Sequence, residues 1–162
     1  MPTLRLARRE DLGAINDIYN HYVLHSTCTY QTEPSTLEER QAWFEVHGAR
    51  HPVTVLEEEG RIIGWGALNK FHPRAAYGHT VENSVYLHHE QQGRGLGSVL
   101  LADLMERAAQ LGHHVVIAVI DASQAPSVGL HAKFGFVQCG YFREVGFKFG
   151  QWLDVVYMQK LI

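Results

Sequence analysis

The chain has 162 residues, 46% of them hydrophobic and 19% charged, and a formal net charge of −3. That balance suits one folded domain, expected to span residues 1–162, and argues against intrinsic disorder. Without a basic run there is no electrostatic footprint for nucleic acid or for an anionic membrane surface, so neither is expected as a partner.

Cys28 and Cys139 stand far apart with no CxxC spacing, and residues 1–11 hold neither a long apolar stretch nor a cleavage pattern. A reduced, cytoplasmic setting is the expectation. The eleven histidines raise the question of a metal. His88–His89 and His113–His114 are adjacent pairs, which on a strand point to opposite faces, and no metal is expected.

From the N-terminus, "LRLA" (Leu4 to Ala7) predicts a short strand, and Leu12, Ile15, Tyr19 and Tyr22 follow at helical spacing, with Ile18 and Val23 widening the stripe. Ser35 and Glu38 have the spacing of a capping box. They predict a second helix from Thr36 to about His47, with Leu37, Trp43, Phe44 and Val46 on its apolar face. "VTVL", the turn "EEEG" and "RIIGWGALNKF" read as a hairpin, and "HTVENSVYLH" as a third strand of the meander. In that third strand the two-residue period puts Thr80, Glu82, Ser84 and Tyr86 on one face and Val81, Val85 and Leu87 on the other. One carboxylate thus lies on a strand that otherwise reads as core.

The next helix carries Leu96, Val99, Leu100, Leu104, Ala108 and Leu111 on one stripe and stops at Gly112. "HVVIAVI" is apolar on both faces, which marks a central buried strand. A loop, a short helix in "SVGLHAKF" and two long strands meeting near Gly146 to Gly150 complete the chain. The order is β-α-α-β-β-β-α-β-α-β-β, an α/β (α+β) chain.

Gly93, Gly95 and Gly97 fall where an apolar strand gives way to a helix. A glycine weakens a helix by about 1 kcal/mol relative to alanine, so three in five residues call for something that lies against the backbone. The start of a helix offers unpaired N–H groups and partial positive charge, which suits a phosphate. A P-loop would need a lysine after the last glycine, where Ser98 stands. A dinucleotide fold would need G-x-G-x-x-G after a parallel strand, where "GRGLGS" follows an antiparallel meander. A tight turn without a ligand is the remaining alternative from the residues alone.

Gln92 to Gly97 matches Q/R-x-x-G-x-G/A, and on this motif and the element order the chain resembles the GCN5-related N-acetyltransferase superfamily from end to end. "TVENSVYLHHEQQGRGLGSVLL", "PSVGLHAKFGF" and "GFKFGQWLDVVYMQ" resemble the branch that contains the phosphinothricin and the methionine sulfone and sulfoximine N-acetyltransferases. The resemblance implies a single-domain fold on a mixed, mostly antiparallel sheet, with acetyl-CoA in a V-shaped opening between two strands. It assigns the pantetheine arm to Val85, Tyr86 and Leu87, with the Leu87 N–H facing the developing oxyanion. It assigns the pyrophosphate to Gln92, Gly93, Arg94, Gly95, Leu96, Gly97 and Ser98, and the lower part of the cofactor to Gln124 and Lys133. Relatives usually carry asparagine at the position of Gln124.

Acetylating an amine requires its free base, and the resemblance makes Glu82 the proton acceptor. An ordinary glutamate at about 4.3 facing an ammonium near 10 leaves a transfer uphill by roughly 8 kcal/mol, a gap that burial narrows. Read from the strand alone, the same carboxylate is equally an ion-pair partner or an edge charge. His131 stands in the stretch where many superfamily members place a tyrosine that protonates the leaving thiolate; it takes that role, lines the site or is a hydrogen-bonded structural histidine, and these stay open. Around the acceptor the resemblance places Tyr30, Arg74, Ala75, Ala76 and Tyr77, together with Glu82, Tyr86 and His131. His72 occupies a position where methionine sulfone enzymes have arginine. The implied activity is acetyl-CoA-dependent acetylation of a small amino-acid analogue by direct transfer in a ternary complex, in a homodimer. The same fold acting on a polyamine, an aminoglycoside or a protein N-terminus, or serving as a non-catalytic acyl-CoA-binding module, stays open.

Overall fold

Alternating apolar residues form the strands and 3.6-periodic stripes form the helices in the order expected. The computed structural model describes residues 1–162. It runs β1 (Thr3–Leu6), α1 (Leu12–His25), α2 (Leu37–Glu45), β2 (Val53–Glu58), β3 (Arg61–Lys70), β4 (Thr80–Leu87) and α3 (Leu96–Gln110). The second half is β5 (Val115–Asp121), α4 (Ala125–Lys133), β6 (Val137–Lys148) and β7 (Gln151–Leu161). The seven strands lie side by side as β1-β2-β3-β4-β5-β7-β6, and every neighbouring pair is antiparallel except β4–β5. No helix is long and apolar enough to cross a membrane.

The two faces of the sheet bury different helices. On one, Leu101, Leu104 and Ala108 of α3 pack against Leu68, Val81 and Val116. On the other, Leu12, Ile15 and Ile18 of α1 meet Val53, Val55 and Trp65. Val99, expected on the buried stripe of α3, is exposed, because Leu100 and Leu101 already face the sheet.

The second helix departs from the sequence reading by one residue. Thr36 caps it, its Oγ1 accepting from the Glu39 N–H while Glu39 Oε1 accepts from the Thr36 N–H. Ser35 is occupied elsewhere: its carbonyl accepts from the side chains of Asn16 and Asn20, and its N–H donates to Asn20 Oδ1. Nor is the buried face of α2 aliphatic. Leu37 and Val46 are exposed, and the buried residue is Arg40, whose guanidinium lies over Tyr19 at 4.7 Å and Trp43 at 4.5 Å.

What positions the site is a failure of pairing. The ladder between β4 and β5 holds only from Thr80↔Val115 to Glu82↔Ile117. Past Glu82, β4 stays paired to β3 as far as Leu87, and β5 stays paired to β7 as far as Asp121. The two strands therefore splay apart, each keeping one bare backbone edge.

Candidate active site

A cavity of about 660 Å³ fills the wedge, lined by Glu82 to Leu87 of β4 and Ala118 to Ile120 of β5. Strand alternation decides which groups face it. The His88 N–H donates to Ile63 O on β3, so one residue earlier the backbone of Leu87 points the other way, and its carbonyl accepts from the Tyr22 hydroxyl. By the same two-residue period Val85 also presents its N–H and C=O to the wedge. Tyr86 does not: its backbone faces β3, and what it adds is its ring, stacked 5.0 Å from Trp65 and edge-on to Tyr19 at 5.3 Å.

Glu82 lines this cavity half-buried, and no hydrogen bond or ion pair holds its carboxylate. Burial alone pushes its pKa above the ordinary glutamate value. The structure thus removes the ion-pair reading of this residue.

At the mouth, Gly93 and Gly95 have φ of +81° and +75°, a region that L side chains rarely adopt. Space is not their reason, since a Cβ at either would meet nothing within 4 Å. Gly97 has no positive φ; it lines the cavity, with a Cβ there 3.5 Å from Leu130 Cδ2. Gly95 is the N-cap of α3 and no side chain caps that helix, which leaves its first N–H groups for an anion. Leu96 is buried in the core and Ser98 is partly exposed, so Leu96 offers such an anion only its backbone. Gln92 lines the cavity and donates from Nε2 to the Tyr22 hydroxyl at 2.9 Å. The Arg94 guanidinium is held at 2.9 Å by both oxygens of Glu58 and donates to Gln91, outside the cavity.

On α4, His131 is buried and lines the cavity, its Nδ1–H donating to Ser127 O at 2.7 Å and its Nε2 lying 3.2 Å from Asn83 Oδ1. Burial lowers its pKa. Gln124 also lines the cavity and donates to Thr27 Oγ1, whereas Lys133 is exposed at the end of α4, away from the lining.

The residues expected around the acceptor divide into two groups. Glu82, Tyr86 and His131 come together in the cavity. Arg74, Ala75, Ala76 and Tyr77 form an exposed turn leading into β4, outside the lining. Tyr30 also lies outside it, its hydroxyl donating to Asp121 Oδ1 at 2.6 Å with Asp154 O 2.9 Å away, so it braces the loop after α1. Sequence reasoning missed Tyr22, Ser26, Cys28 and Asn83 as lining residues. Tyr22 sits on the apolar stripe of α1 and reads as core, and only its position opposite Leu87 and Gln92 reveals the use of its hydroxyl.

A wedge with two bare strand edges over an uncapped, glycine-rich helix start defines a site for an acyl-CoA. Residues 15–136 match the Acetyltransferase (GNAT) family. The chain belongs to that family and is an acetyl-CoA-dependent N-acetyltransferase. It is 40% identical over 158 residues to the L-amino acid N-acyltransferase MnaT of Escherichia coli (strain K12), covering 97% of this chain and 92% of that one. To the L-methionine sulfoximine/L-methionine sulfone acetyltransferase of Salmonella typhimurium it is 39% identical over 158 residues, with the same coverage. A phosphinothricin acetyltransferase from Sinorhizobium meliloti, solved in complex with acetyl-CoA, superposes with a TM-score of 0.96 at 37% identity, covering 99% of this chain and 88% of that one.

Proposed function

We propose that the chain acetylates the amino group of a small amino-acid analogue of the phosphinothricin, methionine sulfoximine or methionine sulfone type, by direct transfer in a ternary complex. The unpartnered Glu82 carboxylate inside the wedge carries this reading. It accepts the ammonium proton, and its raised pKa narrows the uphill gap to the amine. The free amine then attacks the thioester carbonyl, the carbonyl oxygen gains negative charge beside the Leu87 N–H, and the C–S bond breaks to release CoA. The departing thiolate takes up a proton from solvent at the open mouth of the wedge, and His131, neutral and tied through its Nδ1–H to Ser127 O, lines the site. Acetyl-CoA lies with its pantetheine arm along Val85 and Leu87 and its pyrophosphate over Gly93 to Ser98. No metal takes part in this transfer.

The names of the relatives support the acceptor class, and so does a cavity whose mouth carries no acidic cluster to draw in a polycation. CoA release should be measured with acetyl-CoA and, in turn, phosphinothricin, methionine sulfoximine, methionine sulfone, spermidine and an aminoglycoside. Turnover selective for one of the first three is expected. Turnover with spermidine or the aminoglycoside alone would overturn the acceptor class. We also infer that the chain pairs with a second copy of itself through the exposed aromatic residues of β6 and β7.

A further inference from the structure

Away from the cavity, four imidazoles form a column across the junction of α1 and the turn before α3. His21 and His25 stand one helical turn apart with ring centroids 4.8 Å apart, and His21 lies flat on His89 at 3.8 Å and 8°. His89 in turn stacks on His88 at 4.5 Å. The expectation that adjacent histidines point to opposite faces fails here because β4 ends at Leu87, and His88 leads into a short 3-10 turn, His89–Gln91. The ligand atoms of His88, His89 and Glu90 all lie within 4.8 Å of one another.

We propose that this cluster binds one divalent ion of the zinc or nickel type, ligated by His88, His89 and Glu90 with His21 as the fourth ligand and His25 flanking it. Such ions take imidazole nitrogen and carboxylate oxygen at about 2.0–2.2 Å, which sets donors in a tetrahedron roughly 3.4 Å apart. Because the rings are stacked, their nitrogen lone pairs run nearly parallel, and ligation turns the exposed His89 ring out of the stack so that its nitrogen meets those of the half-buried His21 and His88, while the exposed Glu90 swings in from the side. The side chains of His21, His89 and Glu90 make no competing hydrogen bond. His88 Nδ1 accepts from the Glu90 N–H at 3.2 Å, a bond it surrenders on ligation. Calcium and magnesium do not fit, because they demand an oxygen shell.

The location gives the site a consequence. His21 precedes Tyr22, whose hydroxyl joins Leu87 O to Gln92, and Glu90 stands two residues before Gln92. An ion there ties α1 to the turn that opens the glycine loop, without entering the transfer chemistry.

The test uses tag-free protein, stripped with EDTA and desalted, then titrated calorimetrically with Zn²⁺ and followed in parallel by visible absorption with Co²⁺. One ion per chain and visible Co²⁺ ligand-field bands are expected. His89→Ala and His21→Gln should each weaken Zn²⁺ binding by roughly tenfold or more, and His114→Ala should leave it unchanged. In the unmodified protein, saturating Zn²⁺ should slow diethylpyrocarbonate modification of His21 and His89 by at least about tenfold, a readout that does not depend on any variant folding. Absence of saturable binding, or binding and protection that ignore these histidines, would overturn the proposal.

Discussion

Glu82 shows how one side chain sets both activity and stability. A carboxylate whose pKa is raised by burial is held at a cost when ionised, so its contribution to stability falls as pH rises from the unfolded-state value through the folded one. Glu82→Gln should therefore melt at a higher temperature than the parent at pH 7 and match it below about pH 4, where both states are protonated. The same variant should lose roughly a hundredfold or more in kcat/KM, and its rate profile should lack the acidic limb that the parent shows above the ordinary carboxylate range. Undiminished turnover from pH 6 to pH 9 would remove Glu82 from the chemistry. Its inward position was legible because the two-residue period of β4 needs only local sequence. Arg94 and Tyr30 were not legible in this way, since their partners Glu58 and Asp121 lie 36 and 91 residues away. Arg74 is different again: its guanidinium has no partner in the structure and stands on the turn leading to β4. If it receives the acceptor's carboxylate, Arg74→Ala should raise the KM of the acceptor about tenfold while leaving that of acetyl-CoA nearly unchanged. Equal rises would deny it that role.

Between elements, the decisive contact is made by a residue that the sequence presents only as part of a motif. Lys148, at the end of β6, is buried, and its ammonium donates to Ser26 O at 2.6 Å, to Thr29 O at 2.7 Å and to Tyr22 O at 3.5 Å. These carbonyls belong to the last turn of α1 and the loop behind it, where helical acceptors run out of donors and a cation is favoured. Gly146 lets the loop approach: a Cβ there would stand 2.5 Å from Tyr30 Cε2. Together they fasten the loop whose Ser26 and Cys28 line the cavity. Lys148→Met should lower unfolding stability by about 2–4 kcal/mol, because buried carbonyls lose a charged donor, and should raise the KM for acetyl-CoA through Tyr22 and Gln92. An unchanged denaturation midpoint would mean that water replaces the ammonium. Element order was readable from periodicity, and so was the hairpin turn at Phe149–Gly150, where φ is +52° and +72°. The insertion of β7 between β5 and β6 was not, because strand order depends on pairing energies spread over the whole sheet.

At the scale of the molecule, β6 is an edge strand whose defences, the charges of Arg143 and Glu144 and its bulges, are outnumbered by exposed apolar residues. Phe142, Val145, Phe147, Phe149 and Trp152 of the β6–β7 hairpin are 50–65% exposed, and Phe147 pairs across the strands with Trp152 at 4.7 Å. An apolar edge of this kind invites another chain unless it is covered. The bulge at Glu144, whose φ is +56° and whose N–H donates to Asp154 Oδ1, gives the strand a fixed bend for a partner to match. If, as proposed above, a second copy of the chain is that partner, the interface is self-complementary, with aromatic anchors at its centre. Light scattering on the eluting protein should give twice the chain mass at micromolar concentration. Phe147→Ser with Trp152→Ser should release monomers, since aromatic anchors of this type each contribute about 2 kcal/mol or more. Lys148 and Gly146 lie on the same strand, so a pairing that steadies β6 would also steady the loop they fasten. The kcat/KM of the parent chain should then fall with dilution in step with the loss of dimer mass. A parent chain that stays monomeric at all concentrations, or whose activity ignores dilution while its mass halves, would separate the assembly from the catalytic site.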